Sequence, residues 1–450
     1  MKLRKLTLAF LCFLPLATWA QEKTALNTAK LDSLLTVLEE KNKLMGSVAV
    51  FQGEKMTYSR AIGAASIKDG QQTKANTGTR YRVGSVTKTF TATMIMQLVE
   101  QKKLTLQTPL AQFFPQFDNA KTITVEHLLR HRSGLTSFTT DPAFGQFMRT
   151  EKTEPQLLEA MARMKSSFLP GEKYEYSNTN YVLLGLIVEK VTKQPYAQVL
   201  QKNIVEKLKL KNTFYGGKIN AAKNEASSFM FLNNSWFELP ETHMSVPHGA
   251  GALVSTPQDL GIFLRGLLQG KLVSKATVEQ MKTLKDNYGL GLLTIPFGKL
   301  SSYGHGGIID GFTSMLTYFP EQDVTIATTF NGANTNGNDV LIGLFSVVFN
   351  APYKIPTFEA PKNLKLDLAL YEGMFTSPTF PLKISMKKEG DQLMGQATGQ
   401  SALMLEARSE TQFVFEGAGI TIEFSKSGKS NAYDQFTLKQ GAGKFDFVKE

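Results

Sequence analysis

The chain has 450 residues, 42% of them hydrophobic and 20% charged, with a formal net charge of +11 and one cysteine. That balance excludes a disordered chain and suits a globular protein of two or three units, or one large α/β unit with an appendage. The basic residues are scattered, with no block of like charge, so they read as a solvated surface rather than a nucleic-acid module.

The first twenty residues read as an export signal. Lys2, Arg4 and Lys5 form its basic end, Leu6 to Leu16 is an apolar run too short to span a bilayer, and Thr18-Trp19-Ala20 offers small residues for cleavage before Gln21. The expected product is soluble and periplasmic or secreted, with no transmembrane segment once the signal is removed. Leu11 before Cys12 fits a lipoprotein site poorly, and retention as an anchor is the alternative. The mature chain has no cysteine, so it forms no disulfide and uses no thiol nucleophile.

Leu31, Leu34, Leu35 and Leu38 have helical spacing. Gly46 to Gly53 and Lys55 to Ile67 read as paired strands. Tyr81-Arg82-Val83-Gly84-Ser85-Val86-Thr87-Lys88 runs through Gly84 into a helix continuing to Lys102, apolar at every third or fourth position and therefore buried. Thr124 caps a short helix that carries His127 and His131. Four-residue spacing suits a metal, but no HExxH motif and no third ligand accompany the pair, so both read as structural histidines and no metal or other cofactor is expected.

Helices are predicted over 154–163, 181–191 and 194–208. Asn212 to His248 reads as irregular, either walling a binding site or forming a plain surface excursion. Helices follow at 257–268, opened by Thr256-Pro257, and at 275–284. Tyr288 to Ile295, Ser302 to Gly306, Phe312 to Phe319 and Val324 to Asn331 read as strands, and Asp339 to Phe349 as a buried helix. Strands at both ends with helices between predict one antiparallel sheet built from the two ends of the domain. Pro352, Pro356 and Pro361 mark a linker over 351–361. Residues 362–450 hold short alternating segments and predict a small all-β barrel or sandwich. The expected organisation is signal 1–20, catalytic unit 21–350, linker 351–361 and β unit 362–450.

Ser85 and Lys88 are three residues apart on one helix, so a hydroxyl and an amine share a face. The Ser85 N–H is among the first amides of the helix and has no intrahelical partner. A serine hydroxyl needs a base to take its proton, and a lysine serves only when burial keeps it neutral. Ser-x-x-Lys alone is weak: it recurs as Ser385 and Lys388, where three residues along a strand put the two on opposite faces.

The first copy has company. Tyr176-Ser177-Asn178 stands on a loop before a helix, and His305-Gly306-Gly307 on a predicted strand. Ser-x-x-Lys, Tyr-x-Asn and His-x-Gly in that order resemble the three motifs of the penicillin-recognising serine hydrolases, which comprise class C β-lactamases, D,D-peptidases, D-aminopeptidases and related esterases. Val125-Glu126-His127-Leu128-Leu129-Arg130-His131-Arg132-Ser133-Gly134-Leu135 also looks like that family, and the likeness covers about residues 30–350.

The resemblance implies an α+β, β-lactamase/transpeptidase-like fold: an antiparallel sheet flanked by helices, plus an all-helical region. It implies Ser85, Lys88 and Tyr176 as the catalytic set, with Tyr176 relaying the proton. Asn178, His305, Gly307 and Ile308 would face the substrate, and the N–H groups of Ser85 and Ile308 would form an oxyanion hole. β-Lactamases usually carry Lys at the position of His305; His there looks more like certain D,D-peptidases and D-aminopeptidases. A class A type deacylating glutamate is absent, since Glu154-Pro155-Gln156-Leu157-Leu158 lacks the Asn and precedes Tyr176. The favoured expectation is an acyl-enzyme hydrolase of peptides or amides such as D-amino-acid or cell-wall peptides. An esterase, a β-lactamase or an idle binder of wall fragments or penicillins are the alternatives. Leu370-Tyr371-Glu372-Gly373-Met374-Phe375 resembles the opening of lipocalin-like barrels appended to some family members.

Overall fold

The computed structural model describes residues 25–232, 235–358, 364–399, 402–415, 419–428, 431–440 and 443–450. The export signal, Cys12, the cleavage site before Gln21 and Pro361 lie outside the described residues.

Six antiparallel strands form the central sheet, in the spatial order Leu293–Thr294, Tyr303–Ile309, Phe312–Phe319, Val324–Ala333, Leu44–Gln52, Lys55–Ile62. The sheet joins the two ends of the catalytic unit, with Val48 opposite Thr328 and Val50 opposite Ile326. Leu44 to Phe51 is buried throughout because both faces of the sheet are covered. On one face the helices Thr28–Glu40 and Gly337–Val348 pack Leu31, Leu34, Leu35 and Leu38 against Leu344, Phe345 and Ile326. On the other lie Pro257–Leu268 and Thr87–Glu100, whose Leu264 and Phe90 belong to the larger core with Leu316 and Ala327. Thr256 caps the first of these through the Asp259 N–H, with Pro257 in its first turn. The helical region is built on Asn178–Thr192, buried from Thr179 to Val188.

Several expectations change. Of Lys55 to Ile67, only Lys55–Ile62 joins the central sheet, and Ala64–Lys68 pairs instead with Gln71–Lys74. The short helix capped by Thr124 spans Val125–Leu129, so His131 lies beyond its end. Only Leu293–Thr294 of the segment from Tyr288 to Ile295 pairs as a strand. Tyr288, Leu290 and Leu292 plug the interior from a folded-back turn closed by Gly289 N–H to Leu292 O, with Gly291 at φ +73°. The helix expected over 194–208 spans Tyr196 to Leu208 with a π turn at Gln201–Val205. Within Asn212 to His248, a hairpin pairs Phe229–Leu232 with Ser235–Glu238, and Trp236 packs near Met45. Phe229, Phe231, Trp236 and Phe237 all belong to that small sheet.

Gly373 to Lys449 forms a closed barrel of eight antiparallel strands, sealed where Phe375 pairs with Lys449. Eight strands leave a bore that side chains can fill, and here Phe375, Phe413, Phe424, Phe436 and Phe447 fill it. Tyr371 plugs one end, stacked on Tyr433 at 4.4 Å and donating its hydroxyl to Glu410 O. The interior is a packed core. Ser385 and Lys388 lie on one strand of this barrel, away from the first Ser-x-x-Lys pair. Among the described residues, no helix is long and apolar enough to cross a membrane.

Candidate active site

Tyr81–Arg82 pairs with Leu253–Ser255, and the chain then turns through Gly84 at φ +49° into the 3-10 turn Gly84–Val86. Ser85 is half-buried at that turn, and the following helix is buried from Thr87 to Leu98. The nucleophile therefore stands on a rigid base. Gly84 is needed twice over. Its conformation is left-handed, and a Cβ there would meet the N, C and O atoms of Ile308 at 2.8–2.9 Å. Gly307 reciprocates, since its Cβ would sit 2.9 Å from Ser85 N and 2.1 Å from Val83 O. These two glycines let the strand Tyr303–Ile309 run against the serine turn, and Ser314 Oγ fastens it by donating to Val83 O at 2.8 Å.

Lys88 is 0% exposed. Its Nζ lies 2.9 Å from Ser85 Oγ, 2.8 Å from Asn178 Oδ1 and 2.8 Å from Ala250 O. Burial holds its pKa well below the usual lysine range, and no carboxylate acts on it. The contacts fit a neutral amine: two N–H groups donate to the carbonyl oxygens of Asn178 and Ala250, which cannot donate, and the lone pair is left for the Ser85 hydroxyl. Tyr176 covers this amine, with Nζ 4.9 Å from the ring centroid. Although 36% of Tyr176 is open, packing around it raises its phenol above the usual range, with a contact to the Ser85 hydroxyl pulling the other way.

Asn178 does more than the sequence suggests. Besides holding Lys88, its amide donates to Thr139 Oγ1 at 3.3 Å, and its own N–H donates to Ser137 Oγ at 3.1 Å. His305 differs from expectation in posture: it is 2% exposed, with Nε2 3.0 Å from Tyr288 Oη and Nδ1 2.6 Å from Gly306 O. Burial pushes its pKa down to about 3. It is a neutral strut between the strand and Tyr288, and it offers no charge to a substrate. Ile308 is 75% exposed.

Two cavities meet at Ser85 and Ile308. One, of about 290 Å³, is walled by Phe138, Phe144, Met148 and Pro247. The other, of about 520 Å³, runs over Leu293, Met315, Phe330 and Leu341. Among the described residues, no Lys or Arg lines either cavity.

Three supporting groups were not assigned to the site from the sequence. Ala250 contributes a backbone oxygen, which no side-chain pattern announces. Arg82 and Asp310 form a buried ion pair that also engages Thr242, whose N–H and hydroxyl donate to Asp310 at 3.1 and 2.7 Å. His131 lies beneath Tyr176, their ring centroids 4.3 Å apart. His127, by contrast, caps its own helix, its Nδ1 accepting from the Thr124 N–H. No group of three or more His, Cys, Asp or Glu among the described residues is gathered to hold a metal ion.

A family model described as Beta-lactamase matches residues 32–344. The chain is similar to Penicillin-binding protein 4* of Bacillus subtilis, at 24% identity over 429 residues covering 88% of this chain and 93% of that protein. It resembles the structure of a D-stereospecific amidohydrolase from Streptomyces sp., with a TM-score of 0.62 and 28% identity over 72% of this chain and 99% of that one. The octameric penicillin-binding protein homologue from Pyrococcus abyssi shares its fold over 94% of this chain and 100% of its own, with a TM-score of 0.65 and 24% identity.

Proposed function

The chain belongs to the beta-lactamase family and is a serine hydrolase, and from that premise we propose that it is an exported enzyme cleaving peptide or amide bonds of D-amino-acid substrates through an ester on Ser85. The observation that carries the reading is the Lys88 amine, buried without a counter-charge, 2.9 Å from Ser85 Oγ. Lys88 takes the Ser85 proton as Oγ attacks the carbonyl carbon. The oxyanion is met by the N–H groups of Ser85 and Ile308, donors of a kind worth about 3–4 kcal/mol each in the transition state. Tyr176, above both Ser85 and Lys88, passes the proton to the departing amine as the C–N bond breaks. Water then attacks the ester, gives its proton back along the same path, and releases the acid and free Ser85. No cofactor takes part.

Similarity to the D-stereospecific amidohydrolase supports an amide of a D-amino acid, and the apolar walls of both cavities support an uncharged side chain. An esterase is the second reading, since the same acyl-enzyme serves esters. β-Lactamase activity ranks lower because, among the described residues, no Lys or Arg lines either cavity to meet a β-lactam carboxylate, and His305 is neutral. We take residues 21–350 as the catalytic unit and 362–450 as its appended barrel.

Intact-mass analysis after incubation with a fluorophosphonate should show one adduct, absent in Ser85→Ala. Turnover of D-amino-acid amides, short-chain esters and a chromogenic cephalosporin should rank in that order. Turnover surviving Ser85→Ala overturns the mechanism; a cephalosporin leading the series overturns the substrate class.

A further inference from the structure

His131 stands outside the proton path just described, yet it is among the most enclosed side chains of the site, with 0% exposure. We infer that His131 is the positioning residue for Tyr176, holding the tyrosine over Ser85 and Lys88 by clamping the loop on both sides of it. The inference rests on the reading of Tyr176 as proton carrier.

The clamp has two jaws from one residue. The Glu175 N–H donates to the His131 backbone oxygen at 2.9 Å. The Ser177 N–H donates to His131 Nδ1 at 3.1 Å. Glu175 and Ser177 are the two neighbours of Tyr176, so the loop is fixed immediately before and after the reacting phenol. His131 itself has φ +54°, which turns its carbonyl and its ring toward the same loop. The ring also underlies the phenol, tilted 32° to it.

The tautomer follows from the partners. A backbone N–H can only donate, and the Asn180 amide nitrogen stands 3.3 Å from the same Nδ1. Nδ1 must therefore present its lone pair, and the proton sits on Nε2. Among the described residues Nε2 has no polar partner, and aromatic rings enclose the imidazole, Tyr288 at 4.7 Å and Tyr174 at 6.1 Å between centroids, both near perpendicular to it. Among the described residues, the groups around the imidazole are Tyr174, Tyr176, Tyr181, Tyr288, Lys88 and His305, with no carboxylate. Nothing there favours an imidazolium, and burial holds the ring neutral. A second proton would set a donor against the Ser177 N–H and open the jaw. His131 touches neither Ser85 nor Lys88 by hydrogen bond, so its influence passes through Tyr176.

The test compares two amide replacements. Asn tolerates the left-handed conformation and places an acceptor near the position of Nδ1, whereas the Gln carbonyl lies one bond too far along. His131→Gln should lower kcat on a D-amino-acid amide by about 10²-fold, the lower end of a proton-transfer contribution, with KM changed less than about threefold. His131→Asn should recover most of that loss. In a Tyr176→Phe background, His131→Gln should cost less than about twofold more, because the group it positions is gone. Thermal melts of all variants check that each is folded. Equal kcat for His131→Gln and wild type, or equal losses with and without Tyr176, overturns the clamp. If Tyr176→Phe alone leaves kcat intact, the proton-carrier reading fails instead, and the two failures are told apart.

Discussion

Arg82 Nη1 lies 3.0 Å from Asp310 Oδ2, and this buried pair ties the strand entering the Ser85 turn to the strand end leaving Ile308. Arg82 also donates to Thr242 O at 2.8 Å and Gly217 O at 3.0 Å, so the same guanidinium holds the wall of the smaller cavity. The two amides assigned to the oxyanion hole are thus carried on segments joined by one charge pair. Arg82 keeps a second carboxylate, Glu241, 2.5 Å from Nη2, so removing Asp310 weakens the charge pairing without abolishing it and strips the Thr242 N–H and hydroxyl of their acceptor, a loss of about 1–3 kcal/mol. Asp310→Ala should therefore lower unfolding stability by that amount in urea titration, and lower kcat/KM at least tenfold at temperatures where it remains folded. A loss under about 1 kcal/mol with normal turnover would show that the pair is idle.

Lys88 gives a pH prediction whose sign can be worked through. Burial depresses its folded pKa well below the usual value of 10.5. Between the depressed value and the ordinary one, the unfolded chain binds a proton that the folded chain does not. Stability therefore rises with pH across that window, by up to about 1.4 kcal/mol per unit, and burial of Lys88 costs most at the acid end. Lys88→Met removes that dependence. The variant's stability relative to wild type should fall steadily as pH is raised from the depressed folded value toward about 10.5, the unfolded value. Its absolute level also contains the lost hydrogen bonds to Asn178 and Ala250, so the slope is the readout. Turnover should drop by about 10²–10⁴-fold, as expected for a lost general base. A difference independent of pH would mean that Lys88 is charged in the folded protein.

Charge in the cleft sets a preference among substrates. With His305 neutral and no Lys or Arg lining the two cavities among the described residues, a free carboxylate beside the scissile bond finds no partner. Burying an unpaired carboxylate is costly. D-Amino-acid amides should exceed matched dipeptides with a free C-terminal carboxylate by at least about tenfold in kcat/KM, where one tenfold step is about 1.4 kcal/mol. Side-by-side kinetics at one ionic strength decides this; equal or reversed values would require a cation the cavities do not show.

What the sequence made legible is what local spacing encodes. Leu31, Leu34, Leu35 and Leu38 announce a helix because one face must be apolar, and Thr256-Pro257 marks a start because cap and ring act within one turn. Ser85 and Lys88 are readable for the same reason, as neighbours on a helix. Arg82 and Asp310 are 228 residues apart and meet only when the sheet forms. Ala250 acts through a carbonyl, and His131 through a carbonyl and a tautomer, none of which residue identity reveals. Tyr288 to Leu292 misled because a run of buried residues also arises in a folded-back turn, where Gly291 at φ +73° supplies a bend and Gly289 lies against the Met281 carbonyl.

The close approach at Gly84 can be separated from its backbone conformation by a matched pair of substitutions. Gly84 and Gly70 both have positive φ, +49° and +76°. A Cβ on Gly70 meets nothing within 4 Å, whereas one on Gly84 meets the Ile308 backbone at 2.8 Å. Placing Ala in the left-handed region costs about 1–2 kcal/mol at either site. Gly70→Ala should pay that in stability alone, with kcat/KM unchanged, because its hairpin turn lies outside the cleft. Gly84→Ala should pay it and also push the Ile308 strand away from Ser85. A displacement of roughly 1 Å in a catalytic arrangement can cost about 10²-fold, so kcat should fall by that order while the protein still melts cooperatively. Denaturant titration paired with amide turnover measures both quantities. If the two variants lose the same stability and Gly84→Ala keeps its turnover, the strand is not held against the serine turn in the way the glycines require.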